Sequence, residues 1–123
     1  MFSHMMVGSN DLERSRKFYD ALFEKSGHED DKGRLAYRRK GSVFMITSPI
    51  DGGPATNANG STVGFACDTP EEVDQWHQRG LAAGGAAIED PPGARSGGGM
   101  NLYLAYLRDP DGNKLCAFKM GPE

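Results

Sequence analysis

The order of its predicted elements constrains the fold of this chain most, because a strand, a helix and several strands follow one another twice. Strands are predicted at residues 2–7, 35–39, 43–48, 62–67, 86–89, 101–107 and 114–119. The predicted helices begin near residue 11 in the first half and near residue 70 in the second. The sequence therefore predicts two similar strand–helix–strands units.

The first predicted helix covers residues 11–25 and has one apolar face. Its apolar residues recur at helical spacing and are Leu12, Phe18, Tyr19, Leu22 and Phe23. Asn10 and Glu13 have the spacing of a capping box, which pairs the first free backbone N–H groups of a helix. We expect the helix to begin after Asn10 and to end at Gly27.

The second predicted helix has a clear start. Thr69 offers an N-cap hydroxyl, Pro70 suits the first helical position, and Glu71 and Glu72 lie where the helix dipole favours acids. Gly84–Gly85 is expected to end the helix. The residues expected on its buried stripe are Val73, Trp76, His77 and Leu81.

Length and charge limit the chain to one domain and exclude several classes of partner. The 123 residues fit one core, with a first half at about 1–50, a linker at about 51–60 and a second half at about 61–120. The net charge is −3, and the basic run Arg38–Lys40 is too short for a nucleic-acid footprint. No stretch approaches the roughly 20 apolar residues that span a bilayer. These features predict a cytoplasmic protein that binds neither nucleic acid nor membranes.

A glycine-rich segment at residues 91–99 has two interpretations. It contains Pro91-Pro92-Gly93 and Gly97-Gly98-Gly99 and shows no periodicity. A segment of this composition either folds over a cavity as a lid or is disordered. The sequence leaves both interpretations open.

Three motifs give the chain a family resemblance. They are His4 on the opening strand, the pattern DLERSRKFY at residues 11–19, and the turn RDPDGN at residues 108–113 before the last strand. The chain resembles the superfamily of glyoxalases, bleomycin-resistance proteins and extradiol dioxygenases nearly from end to end. The resemblance implies an α+β fold of two tandem βαβββ modules that form an incomplete barrel around a cup-shaped cavity. It also implies a homodimer.

The resemblance further implies where a divalent metal would be bound. Enzymes of the superfamily take His or Glu ligands from four strands, and these positions correspond here to His4, Met45, Thr62 or an immediate neighbour, and Cys116. Only His4 matches. A thioether, a neutral hydroxyl and a thiol do not supply the charged oxygen donors that a hard cation needs. We therefore predict a degraded metal site with His4 as its remnant ligand, and no cofactor.

The same strands predict a small-molecule site. The residues expected to line the cup are Phe2, His4, Met6, Val43, Met45, Thr47, Thr62, Cys116 and Phe118. A mostly apolar lining with a few polar groups is typical of small-molecule pockets, and aromatic and methionine side chains suit flat apolar ligands. The predicted function is metal-independent binding of a small apolar or aromatic molecule.

Two alternative functions remain open from the sequence. The first is a divergent lyase, isomerase or dioxygenase that uses His4 as a general base or rebuilds a site for zinc, nickel, iron or manganese. The second is a structural or regulatory module whose cavity is filled by its own side chains.

Overall fold

The computed structural model describes residues 1–97 and 100–121. Over these residues the elements are β1 (His4–Gly8), α1 (Leu12–Phe23), β2 (His28–Glu29), β3 (Leu35–Arg39), β4 (Ser42–Thr47), β5 (Val63–Ala66), α2 (Pro70–Ala82), β6 (Ala86–Ala87), β7 (Gly93–Gly97), β8 (Met100–Arg108) and β9 (Lys114–Met120). Neither α1 nor α2 is long and apolar enough to span a membrane. The predicted α+β fold with repeated strand–helix–strands order is confirmed.

The strands form two sheets of similar topology. Sheet A has the order β1-β4-β3-β2, and sheet B has the order β5-β9-β8-β6, with β7 also paired to β8. In each sheet the opening strand of the module runs parallel to its last strand, whereas the other pairs are antiparallel. Within the described residues the two sheets do not close into a barrel.

Helix α1 begins one residue later than the capping box predicts. Asp11 is the N-cap, and its carboxylate accepts a hydrogen bond from the Arg14 backbone N–H at 3.1 Å. The Asn10 side chain instead accepts from the Ala55 backbone N–H at 2.7 Å. The helix ends at Phe23 and not near Gly27, and Glu24 follows as its C-cap with a left-handed φ of 54°. Asn and Asp cap helices equally well, so a neighbouring pair leaves the start undecided from sequence.

Helix α2 begins as predicted but buries a different residue near its end. Thr69 accepts a hydrogen bond from the Glu72 backbone N–H at 3.1 Å, and Pro70 opens the helix. Leu81, expected on the buried stripe, is 42% exposed, and Gly80 is buried instead. A Cβ at Gly80 would lie 2.2 Å from the Leu107 Cδ1 atom and 3.1 Å from that of Leu22. The missing side chain lets α2 approach both α1 and β8 closely.

Two strands were not predicted, and one was predicted too long. The strand expected at 86–89 covers only Ala86–Ala87, and β2 had no sequence signal. The glycine-rich segment expected to be a lid or disordered forms β7, which pairs antiparallel with Met100–Leu104. Gly98 and Gly99 of that segment lie outside the described residues. Backbone pairing with a long neighbouring strand, rather than side-chain periodicity, produces β7.

One hydrophobic core covers the inner faces of both sheets. It contains the α1 residues Phe18, Tyr19 and Leu22 together with residues from α2 and from both sheets. The rings of Phe44 in sheet A and Phe65 in sheet B lie 5.1 Å apart between centroids. We call the opposite side of each sheet, away from this core, its open face. Because both sheets pack against the same core, the two open faces of one chain do not face each other.

The turn at residues 109–113 joins the two modules through buried polar contacts. The Tyr19 hydroxyl donates to the Asp109 carboxylate at 2.5 Å, and the Asn113 side chain donates to the Gly8 carbonyl at 3.0 Å. Asp111 accepts from the Asn10 backbone N–H and from Arg14. The RDPDGN motif therefore has a structural role, because it holds the second module against the start of α1.

Candidate functional site

The residues predicted to line the cup lie in two groups, one on each sheet. In sheet A the Cα positions of His4 and Val43 pair, as do those of Met6 and Met45. Paired residues of neighbouring strands share a face. The open face of sheet A therefore carries His4, Met6, His28, Ala36, Arg38, Val43, Met45 and Thr47. Phe2 precedes β1 and is 75% exposed.

The second group lies on sheet B. Cys116 pairs with Tyr106 on one side and Gly64 on the other, and Phe118 pairs with Leu104. The register gives this open face Gly64, Ala66, Gly93, Arg95, Leu102, Leu104, Tyr106, Arg108, Lys114, Cys116, Phe118 and Met120. Thr62 precedes β5 and is exposed. A single chain thus brings Met6 together with Met45, and Cys116 near Phe118, but it does not bring the two groups face to face.

Gly64 is a feature of this face that the sequence reasoning missed. Gly64 lies in the edge strand β5 and pairs with Cys116 of β9. A Cβ built at Gly64 would have no heavy atom within 4 Å. The space above this part of sheet B is therefore open. Leu104 and Tyr106 were missed as well, because assigning them to this face requires the register between β8 and β9. Sequence periodicity alone does not supply that register.

Cys116 lies in a polar corner of an otherwise apolar surface. It is 5% exposed, its thiol donates to the Ala117 carbonyl at 3.4 Å, and it pairs with Tyr106 across the sheet. Burial raises the pKa of the Cys116 thiol, although the neighbouring Tyr106 side chain and the Arg95 charge act in the opposite direction. The thiol is therefore protonated at neutral pH. A protonated thiol is a poor nucleophile, so Cys116 serves better as a lining residue than as a reactive one.

His4 is the histidine among the residues predicted to line the cup. Its imidazole is exposed, and its Nδ1 atom lies 2.8 Å from the Ser3 hydroxyl oxygen. Such a contact orients the ring and leaves Nε2 accessible on the open face. No carboxylate of the described residues forms an ion pair or a hydrogen bond with His4.

The donors at the four positions where the family resemblance implies metal ligands do not fit a divalent metal within one chain. Met45 offers a thioether, Thr62 offers a neutral hydroxyl, and the Cys116 thiol is protonated. The described residues contain no group of three or more His, Cys, Asp or Glu side chains that could hold a metal ion. His4 remains a predicted remnant ligand, and a degraded metal site remains a prediction.

Two shallow depressions lie outside the centres of the open faces. One of about 330 Å³ lies at the end of sheet B and is lined by Ala66, Cys67, Asp68, Phe118, Lys119 and Met120. The other, of about 290 Å³, lies beside the loop after β4 and is lined by Ser9, Asn10, Ser48, Pro49, Gly52, Gly53 and Pro54. Only the first contains residues of an open face.

Comparisons with known proteins identify the family. The chain belongs to the Glyoxalase/Bleomycin resistance protein/Dioxygenase superfamily, whose model matches residues 1–117. The crystal structure of a glyoxalase/bleomycin resistance protein from Albidiferax ferrireducens T118 is 54% identical, with a TM-score of 0.93, and the match covers 97% of this chain and 98% of that one. The family resemblance predicted from the motifs is confirmed.

More distant structures share the fold. A glyoxalase/bleomycin resistance protein/dioxygenase family enzyme from Burkholderia phytofirmans PsJN is 20% identical with a TM-score of 0.74, and the match covers 95% of this chain and 96% of that one. A lactoylglutathione lyase from Agrobacterium tumefaciens is 20% identical with a TM-score of 0.69, and the match covers 97% and 92%. Among curated proteins, no significant match was found. The likeness to these two structures concerns the fold alone.

Proposed function

We propose that this protein binds a small apolar or aromatic molecule in a cup that forms between two copies of the chain. The open face of sheet A from one copy would meet the open face of sheet B from the other. The observation that carries the proposal is the division of the apolar lining between two surfaces that face away from one shared core. Each surface is incomplete alone, and a second copy supplies the missing half.

Exposed apolar side chains support the participation of a second copy. Phe2, Met6 and Met120 are 75%, 38% and 54% exposed, and all belong to the predicted cup or to its margins on the open faces. Contiguous exposed apolar surface is costly in water and commonly marks an interaction surface. Closing the two faces over a ligand would bury these side chains.

The open space above Gly64 supports a ligand rather than a filled cavity. If the face were packed by its own side chains, a Cβ at this position would meet a neighbour. None lies within 4 Å. This favours the binding protein over a structural module whose cavity is self-filled.

Replacing Gly64 by leucine tests this site directly. Its φ is not in the left-handed region, and leucine is better tolerated in a strand than glycine, so the fold should keep its stability. The added side chain should abolish binding of aromatic probes, measured by isothermal titration calorimetry. Ala94→Leu is the matched control, because Ala94 is exposed on the opposite face of sheet B. Equal binding by Gly64→Leu and the unaltered protein would contradict the proposed site.

A divergent enzyme is the second candidate, favoured by the contact between Ser3 and His4. If the Ser3 hydroxyl accepts from Nδ1–H, the lone pair of Nε2 faces the open side and takes a proton from a bound substrate. His4→Gln keeps a polar side chain of similar reach but does not act as a base near neutral pH. A turnover found by substrate screening should be lost in His4→Gln while ligand affinity is retained. Unchanged turnover would exclude this role.

A further inference from the structure

The open faces carry basic groups and almost no acids, although the whole chain is acidic. The formal net charge is −3. Yet no residue that the described strands direct to either open face is Asp or Glu. The basic residues there are Arg38 on sheet A and Arg95, Arg108 and Lys114 on sheet B.

Of these cations, only Lys114 has a carboxylate partner among the described residues. It forms an ion pair with Glu89, which lies between β6 and β7, and its ammonium is 4.9 Å from the centre of the Tyr106 ring. Arg38 and Arg108 have no ion pair within the described part of the chain. The Arg108 guanidinium donates to the neutral carbonyl of Gly112 at 2.7 Å. Much of the positive charge on these faces is therefore uncompensated.

Arg95 is held in place by neutral groups. Its Nη1 atom donates to the carbonyls of Gly93 at 2.9 Å and Leu104 at 3.2 Å, and its Nη2 atom donates to the carbonyl of Asp90 at 3.0 Å. These three bonds use three of the five N–H groups of a guanidinium and leave two for another acceptor. No carboxylate of the described residues pairs with it. A half-buried cation without a counter-ion favours an anionic partner.

The Arg95 guanidinium lies over the paired strands β7 and β8 of sheet B. A Cβ at Gly93 would lie 3.8 Å from the Arg95 Nη1 atom, so the side chain folds back over Gly93. Gly93 pairs with Leu104, which in turn pairs with Phe118. An apolar surface and a fixed cation thus adjoin one another.

We propose that the ligand of the cup is an aromatic or apolar organic anion whose carboxylate, or another oxyanion group, binds the Arg95 guanidinium. This inference rests on the proposed function and adds the charge of the ligand to it. The planar guanidinium suits paired hydrogen bonds to an oxyanion. Two open faces without acids would also repel each other when they close, and an anion between them would relieve that repulsion.

Matched pairs of ligands test the charge independently of the site. Arylcarboxylates on naphthalene, biphenyl and indole rings would be compared with the corresponding carboxamides by isothermal titration calorimetry of the full chain. The charged member should bind about tenfold or more tightly, because hydrogen bonds to charged groups are stronger than those between neutral groups. Equal affinities would overturn the proposal that the ligand is an anion, but they would leave the proposed function unaffected. Absence of binding by both members would overturn the proposed function, and the anion with it.

Variants then test whether Arg95 is the residue that binds the charged group of the ligand. Arg95→Gln should reduce the carboxylate-to-carboxamide affinity ratio to near unity, whereas Lys17→Gln, an exposed change on α1, should leave it unaltered. Arg95 also binds three carbonyls, so a second variant guards against misfolding. Arg95→Lys keeps the positive charge but loses the planar guanidinium that makes paired hydrogen bonds. This variant should retain part of the carboxylate-to-carboxamide affinity ratio. A ratio that survives Arg95→Gln in a folded protein would overturn the assignment to Arg95.

Discussion

At the residue scale, the contact between Tyr19 and Asp109 is a buried hydrogen bond that joins the two modules. Tyr19 is fully buried and Asp109 is 4% exposed. Burial raises the pKa of Tyr19 far above its usual value, so its hydroxyl remains a donor. Removing that donor leaves a buried carboxylate with fewer partners, and water cannot easily replace the lost bond.

Tyr19→Phe should therefore lower the free energy of unfolding by about 1.5–3 kcal/mol, as expected for a buried hydrogen bond to a charged group. Urea denaturation followed by circular dichroism measures this change. Tyr37→Phe is the matched control, because the Tyr37 hydroxyl donates at 2.7 Å to Asp20, which is half-buried and open to hydration. The decrease in the free energy of unfolding should be clearly smaller for Tyr37→Phe than for Tyr19→Phe. Equal losses in the two variants would contradict a special role for the Asp109 contact.

His77 gives the molecule a pH dependence of its own. It is 9% exposed on α2, and burial lowers its pKa below the usual value near 6.5. The unfolded chain therefore takes up the proton first as the pH falls. Stability should be full above pH 6.5 and should decrease as the pH falls below it, towards the lowered pKa of the folded state.

Thermal unfolding between pH 8 and pH 5 tests this effect. His77→Gln should flatten the fall in melting temperature below pH 6.5, whatever its effect at pH 8. His28→Gln, which alters an exposed histidine, should leave the slope unchanged. A slope in His77→Gln equal to that of the unaltered protein would assign the pH dependence to other groups.

At the scale of elements, the two neighbouring residues Asn10 and Asp11 have different roles. Asp11 caps α1, whereas Asn10 ties the loop at residues 51–60 to the start of the helix through Ala55. Asp11→Ala should lower the free energy of unfolding by about 1 kcal/mol, the usual value for a lost N-cap. Amide hydrogen exchange should show faster exchange in the first turn of α1.

Asn10→Ala provides the contrast for that measurement. It should increase hydrogen exchange around Ala55 and leave the first turn of α1 protected. If Asn10→Ala exposed the helix and Asp11→Ala did not, the cap would be Asn10 after all, as the capping-box spacing predicts.

The sequence predicts most elements but not how the strands are paired. Apolar periodicity found both helices, and turn residues bounded β3, β4 and β9. Neither signal predicted β7, because its glycines lack a pattern. These residues form a strand only because β8 extends beside them. Apolar periodicity also placed Leu81 on the buried stripe of α2, because the close approach of the two helices at Gly80 has no signal in the periodicity. These outcomes depend on long-range contacts.

The same limit applies to the candidate site. Residues such as Cys116 and Met45 follow from the family resemblance, one position at a time. Gly64 and Arg95 do not, because their importance comes from the register of sheet B and from a side chain that folds back over Gly93. Residues that line a site through tertiary arrangement have no signal of their own in a single sequence.

At the scale of the whole molecule, a shared core forces the two open faces apart. A cup built from one face of each sheet would therefore need two chains, with sheet A from one and sheet B from the other. Two blocking variants follow from this geometry. Gly64→Leu fills the sheet B side, and Met45→Glu places a carboxylate on the sheet A side.

The most direct test of this account is ligand binding by a purified heterodimer of these two variants, co-expressed with different affinity tags. Each variant alone should fail to bind aromatic carboxylates, because both of its cups are blocked. In the heterodimer, one cup combines both blocks and the other combines two unaltered faces, so calorimetry should recover half the stoichiometry of the unaltered protein. A folded heterodimer that binds no ligand, or a chain that stays monomeric while binding, would contradict a cup shared between two copies.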